Sequence, residues 1–316
     1  MASDPGMDVL SKLDLTEGGT RVAALAFGIT FYSVPPLSKM GKEVLEIFDK
    51  FLKLVPAENL KFYSTENMTK HKPANERTLA MLKTWLKPGA PPREYVCVDL
   101  KDGAKYNDTP KRKFEVYGTE PSAKDFHKKH ASTVSMTFPP EWGWERTDEM
   151  LGLVREVADL LPFQSGHAGF VFEVSPYQER IADTHAYATS MRHRGVDIDN
   201  TIRNRITVKD DGVRMNWLTL LSPARVEEAG GEKSLRKALP SPVELIPLKK
   251  GLMIKAGPRP ELGDTNRREF LPAYQAVFAA LKPLLEKTAG RTPPLMLSDM
   301  DFKERTLKWA LRLGEK

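Results

Sequence analysis

The longest apolar run in the sequence, RVAALAFGITFYS from Arg21 to Ser33, limits the fold more than any other feature. Its β-branched and aromatic residues read as a strand buried on both faces rather than as a one-sided helix. Gly28 and Thr30 break its apolar core between Val22 and Tyr32, which falls short of the ~20 residues a membrane helix needs. A soluble chain built round a buried strand is therefore expected, with no membrane partner. Hydrophobic residues make up 41% of the 316 and charged ones 28%, a balance that excludes disorder or a fibrous repeat. A chain of this length buries roughly 75% of its unfolded surface.

The remaining periodicities alternate between helix and strand. After Pro35-Pro36, Met40, Val44, Ile47, Phe48, Phe51 and Leu52 recur at helical steps. Leu60 to Ser64 reads as a short strand and Ala74 to Leu86 as a helix. Glu94 to Leu100, Lys113 to Gly118 and Ser132 to Phe138 follow as strands, and Thr147 to Leu161 as a helix. In the second half, Ala168 to Val174 and Val213 to Leu221 read as strands and Tyr177 to His193 as a helix, with GVDIDN (195–200) as a loop. A helix from Pro223 to Ala238 is interrupted at Gly230-Gly231, and Val243 to Pro247 with Gly251 to Ala256 form a hairpin. Glu269 to Lys287 predicts an amphipathic helix with Phe270, Tyr274, Val277, Phe278, Leu281 and Leu285 inward. Asp299 caps a last helix carrying Phe302, Thr306, Trp309 and Leu313.

This order predicts an α+β fold of mixed or antiparallel sheets packed with helices, arranged as two similar lobes, 21–161 and 165–290. An arm (1–20) precedes them and an extension with a helix (291–316) follows. The first twenty residues carry Asp4, Asp8, Asp14 and Glu17 and lack a basic start before an apolar stretch, so a cytoplasmic location is expected. Cys97 is the single cysteine, which rules out an internal disulfide and a multi-thiolate metal site.

Catalytic signals are sparse. The phosphate-loop, dinucleotide, zincin and nucleophile-elbow patterns are all missing. His127 and His130 have ligand spacing, but Lys124, Lys128 and Lys129 would repel a cation, so neither metal nor cofactor is expected. An unrecognised hydrolase or nucleotide-processing site around His167, His185 and Asp183 is the alternative from another class. His185 and His193 flank a predicted helix and are the candidates there for general acid/base work. Arg203, Arg205, Lys209 and Arg214 cluster, as do Lys111 to Lys113, but Asp210, Asp211 and Asp108 interleave them. That interleaving argues against direct nucleic-acid binding.

Net charge is +6, yet it is unevenly spread. Residues 201–316 hold 22 basic and 14 acidic side chains, whereas 141–199 holds five basic and eleven acidic. Two stretches in the basic half, VRMNWLTLLSPARVEEAGGEKSLRKAL (213–239) and IKAGPRPELGDTNRREFLPAYQAVFAALKPL (254–284), together resemble the bacterial type VI secretion immunity family sometimes called TsiV. FYSVPP, MTFPPEW and SGHAGFVFE extend the resemblance to about Arg21–Lys287. Read as residues, the motifs are scaffold: a buried strand, a helix break and a turn.

The resemblance implies a non-enzymatic immunity protein that binds one effector toxin in the cytoplasm. It also implies that a nuclease effector would be neutralised by covering its active or DNA-binding face. The positive net charge departs from nucleic-acid mimicry, and the acidic 141–199 stretch can supply it instead. Glu141, Glu145, Asp148, Glu149, Asp197 and Asp199 are the candidate contacts. Trp142 and Trp144 stand beside the first two carboxylates, either as interface anchors or as packing for the next helix.

Overall fold

In the computed structural model, which describes residues 7–10, 12–33, 35–91, 93–120, 130–298 and 300–315, the apolar run is the centre of the molecule. Strand β1 (Leu15–Glu17) leads into β2 (Thr20–Ser33), fourteen residues long and buried throughout except at Arg21. Then come β3 (Phe62–Thr65), β4 (Lys72–Pro73), β5 (Tyr95–Lys101), β6 (Lys113–Thr119) and β7 (Ser132–Phe138). The second half gives β8 (Phe163–Val174), β9 (Asp197–Asp199), β10 (Leu218–Leu221), β11 (Val243–Leu248) and β12 (Gly251–Ala256). All belong to one sheet, ordered β11-β12-β10-β8-β2-β7-β6-β5-β3-β4, with β1 beside β2 and β9 beside β8. Pairing is antiparallel apart from β8 with β9. The fold is α+β.

The expectation of two similar lobes fails at the centre of this sheet. β2 and β8, the first strands of the supposed lobes, pair directly from Ala23↔Val174 to Ser33↔Phe163. The halves are also wired differently. β7, β6 and β5 meander outward from β2, whereas β10 and then β12 and β11 extend from β8. Nor does the core stop at 290, because Leu295, Leu297, Trp309 and Leu313 are buried within it.

The two faces of the sheet differ in chemistry. On one, Phe27, Ile29 and Phe31 align with Phe138, Met136 and Val134, then with Phe114 and Val116. Helices Gly41–Leu54 and Thr147–Leu160 cover them with Val44, Ile47, Phe48, Phe51, Met150, Val154 and Val157. The other face carries Thr30, Tyr32, Asp99, Lys101, Lys113, Glu115, Ser135, Thr137, His167 and Glu173, all on the opposite parity of the same registers. Part of its cover is the helix Thr201–Thr207, whose buried residues are Arg203, Asn204, Arg205 and Thr207, while Ile202 is 55% exposed. Polarity in this helix is inverted because carboxylates lie beneath it. Arg205 stands 3.5 Å from Glu115, and Arg203 reaches Asp183 at 2.8 Å.

Several sequence expectations shift accordingly. The arginines read as a basic surface cluster are buried ion-pair partners, and GVDIDN contains β9 rather than only a loop. Strand β8 begins five residues before Ala168, and the strand expected from Val213 forms only over Leu218–Leu221. Phe270, expected inward, is 55% exposed, because the helix starts after it, at Pro272. Asp299, His127, Lys124, Lys128 and Lys129 lie outside the described residues. Among the described residues, no helix is long and apolar enough to cross a membrane.

Candidate partner-binding surface

Where β7 ends at Phe138, Pro139 and Pro140 remove two ladder donors and the chain turns into the short helix Trp142–Glu145. Gly143 is buried at the pivot. A Cβ there would lie 2.9 Å from Phe27, 3.1 Å from Pro260 and 3.2 Å from Phe170. This close approach seats the two tryptophans firmly. Trp142 stacks on Phe138 with ring centres 5.3 Å apart, and the Arg146 guanidinium lies 3.9 Å from its centroid. Trp144 donates from Nε1 to the Pro260 carbonyl at 2.7 Å and meets Phe170 edge-on at 5.5 Å. Both rings are half-buried, so both pack against the body and keep part of their surface in solvent.

The carboxylates on this turn divide into two groups. Glu149 is held by Arg146 through two hydrogen bonds, at 2.5 and 2.7 Å. Glu141, Glu145 and Asp148 have no ion-pair partner among the described residues; Glu145 and Asp148 are exposed and Glu141 half-buried. Asp148 and Glu149 occupy the first turn of the helix Thr147–Leu160, where the helix dipole favours negative charge.

Asp197 and Asp199 lie elsewhere and are buried, which corrects their placement on an exposed acidic face. Asp197 accepts from Arg214 at 2.5 Å and from Arg312 at 3.4 Å. Burial pushes its carboxyl up, but those two guanidiniums outweigh burial and hold it below the usual range. Asp199 accepts from Asn204 at 2.7 Å and is raised by burial despite Lys113 and Arg214.

The residues of the alternative site are likewise dispersed among structural roles. His167, driven down to about 4 by burial and by Arg214, stacks against Tyr32. His185 Nε2 pairs with the Leu13 carbonyl, and His193 Nδ1 with that of Gly263. Asp183 accepts from Arg203 and from the Met296 amide. None of these hydrogen bonds links one member of the group to another.

A feature invisible in the sequence adjoins Trp144. The segment after Gly257 folds back to form a cleft of about 330 Å³, with Trp144, Arg259, Glu261, Arg267, Phe270 and Leu271 among its walls. Asp264 anchors it. Arg192 donates to its carboxylate at 2.9 and 2.6 Å, and that pairing, against the opposing effect of burial, holds the group down at about 2. Arg259, Arg267, Arg268 and Phe270 project into solvent around the cleft, and Arg268 adopts the left-handed conformation at φ 59°. The AGPRPELGD segment thus has an exposed outer side next to the acidic turn.

A family model described as TsiV, type VI immunity for VRR-NUC, matches residues 43–313. The chain belongs to the TsiV family. The match runs further toward the C-terminus than the motif resemblance and starts after FYSVPP. Among solved structures, the Pseudomonas aeruginosa T6SS protein PA0821 superposes with a TM-score of 0.77 at 20% identity, covering 99% of this chain and 92% of that one. At that identity the likeness is one of fold. No curated protein matches in sequence. As a TsiV member, the chain is a type VI immunity protein.

Proposed function

We propose that this TsiV protein acts in the cytoplasm by binding a cognate type VI effector one to one, without catalysis, and that the effector is a nuclease whose nucleic-acid-binding face becomes covered. The observation that carries the reading is the rigid turn at 141–149, where Glu141, Glu145 and Asp148 stand uncompensated beside two anchored tryptophans. A nuclease presents cations to phosphate, and fixed carboxylates can take the place of phosphates. Long-range attraction would speed encounter, and desolvated aromatic contacts would slow release. Asp197 and Asp199 have no part in this surface.

The test is co-expression with the effector encoded beside it, followed by co-elution, rescue from toxicity and binding kinetics. The double variant Glu145→Lys/Asp148→Lys is expected to associate roughly tenfold more slowly at low salt, with an unchanged melting temperature. The difference should shrink as salt rises. Wild-type association kinetics in the double variant would remove the acidic turn from the interface, and rescue without a stable complex would overturn occlusion.

A further inference from the structure

The last helix, Phe302–Ala310, and the long helix Pro272–Ala289 meet β9 around a small cavity of about 40 Å³. One water needs only ~10–15 Å³ of such space, so the cavity has room for a small ion. Val213, Met215, Phe278, Leu285, Ala289 and Leu313 line it with apolar surface. Asp197, Arg214, Trp309 and Arg312 also reach it. Two of these groups have protons to donate and nothing to take them. Trp309 is 1% exposed, and its Nε1–H has no acceptor among the described residues; nor has the Nε–H of buried Arg214. Both groups donate and cannot accept, and a buried donor left without an acceptor costs free energy.

Charge points the same way. Two guanidiniums share one carboxylate, with Asp197 2.5 Å from Arg214 and 3.4 Å from Arg312. Burial lowers Arg312 in spite of Asp197, and Arg214 adds to the fall. The two guanidiniums lie 5.5 and 5.3 Å from the centroid of the Trp309 ring. The other groups acting on them do not make up the difference. Asp199 acts on Arg214 but also on Lys113, burial keeps Tyr32 neutral, and Arg194 pairs with Glu315. One positive charge is left over beside the cavity.

We propose that the cavity holds one monovalent anion of the halide class, taken up by the Trp309 Nε1–H and the Arg214 guanidinium, so that the ion ties the last helix to β9. A halide balances the surplus charge, accepts from both donors and brings no protons of its own. Water would bring two protons, and acceptors here are already engaged. The two arginines occupy Asp197, and the Thr288 hydroxyl accepts from the Val213 amide at 2.9 Å. A divalent oxyanion would leave a buried negative charge in place of the positive one.

The test is thermal unfolding of the full chain at constant ionic strength, with sodium gluconate replaced stepwise by sodium chloride or bromide. The wild type is expected to gain roughly 2–4 °C for each tenfold rise in halide above its dissociation constant. Trp309→Phe keeps an aromatic ring and removes the donor, so it should lose this halide-dependent gain whatever its starting melting temperature. Trp217→Phe removes a buried indole N–H that already has an acceptor, and should keep the gain. Crystals of the wild type grown with bromide should show an anomalous peak beside Trp309 Nε1, a result that needs no variant to fold. Absence of the gain in the wild type, an equal gain in Trp309→Phe, or a cavity holding only water in the bromide crystals would each overturn the proposal.

Discussion

Lys113→Met is expected to lower stability by about 3–5 kcal/mol, the cost of leaving buried charges without their partner. Lys113 is buried on the polar face of the sheet, with Nζ 2.7 Å from Glu173 and 3.4 Å from Glu115. Burial alone would push its ammonium down, but Glu173, Glu115, Asp199 and Asp99 outweigh burial and hold it well above its ordinary value. Glu173 behaves in the opposite sense from an ordinary surface carboxylate. Burial raises it to about 8 even though Lys113 is adjacent, and Asp199 adds to the rise.

The sign of the pH dependence follows from that shift. Between the ordinary value of 4.5 and about 8, folded Glu173 keeps a proton that the unfolded chain has released. Its contribution to stability therefore falls as pH rises through that window and levels off above it. Glu173→Gln keeps the neutral form and is expected to be neutral or stabilising at pH 8.5, and to flatten the slope. Urea denaturation at pH 5.5, 7 and 8.5 on wild type and both variants checks this. Equal damage from Glu173→Gln and Lys113→Met at pH 7 would show that Glu173 is instead an ionised counter-charge.

Trp217→Ala should cost a similar amount, about 3–5 kcal/mol, through the cavity it opens. The ring is fully buried, meets Phe27 edge-on at 6.2 Å and donates from Nε1 to the Gly257 carbonyl at 3.0 Å. Its neighbour Asn216 locks the site, accepting from the Trp217 amide at 2.7 Å and donating to the Phe170 carbonyl at 2.9 Å. Only glycine fits opposite, since a Cβ at Gly169 (φ 156°) would lie 2.1 Å from the Asn216 oxygen. The NWLTLL motif thus ties β8 and β10 to the turn that opens the cleft segment. Thermal unfolding should show a fall of roughly 6 °C or more, with Trp217→Phe retaining part of the loss. A change below about 1 kcal/mol would mean that the site collapses onto the void.

Apolar periodicity carried much of the fold. The buried strand at 20–33, the strand at 132–138, the helix from Thr147 and the 243–256 hairpin fall where their residue patterns put them. Each has a face that only burial can satisfy, so its periodicity is a local record of a global fact. The polar face of the sheet left no such record. Lys113, Glu115 and Glu173 alternate in their strands as solvent-facing charges do, and Arg203 and Arg205 read as part of a basic surface cluster although the helix Thr201–Thr207 turns them inward. Their burial depends on partners brought from distant segments.

The site divides the same way. The composition of 141–149 by itself marks an acidic, tryptophan-bearing turn, and the NWLTLL and AGPRPELGD motifs by themselves carry the family. Which carboxylates remain free was decided by tertiary structure. Asp197 and Asp199 were drawn under Arg214, Arg312 and Asn204, whereas Glu141, Glu145 and Asp148 stayed unpaired. The cleft at Trp144 and the cavity at Trp309 are likewise products of packing, since each is walled by residues far apart in the chain. The physical reason is range: side-chain periodicity is set within a few residues, while desolvation and ion pairing are set by whatever the fold places opposite.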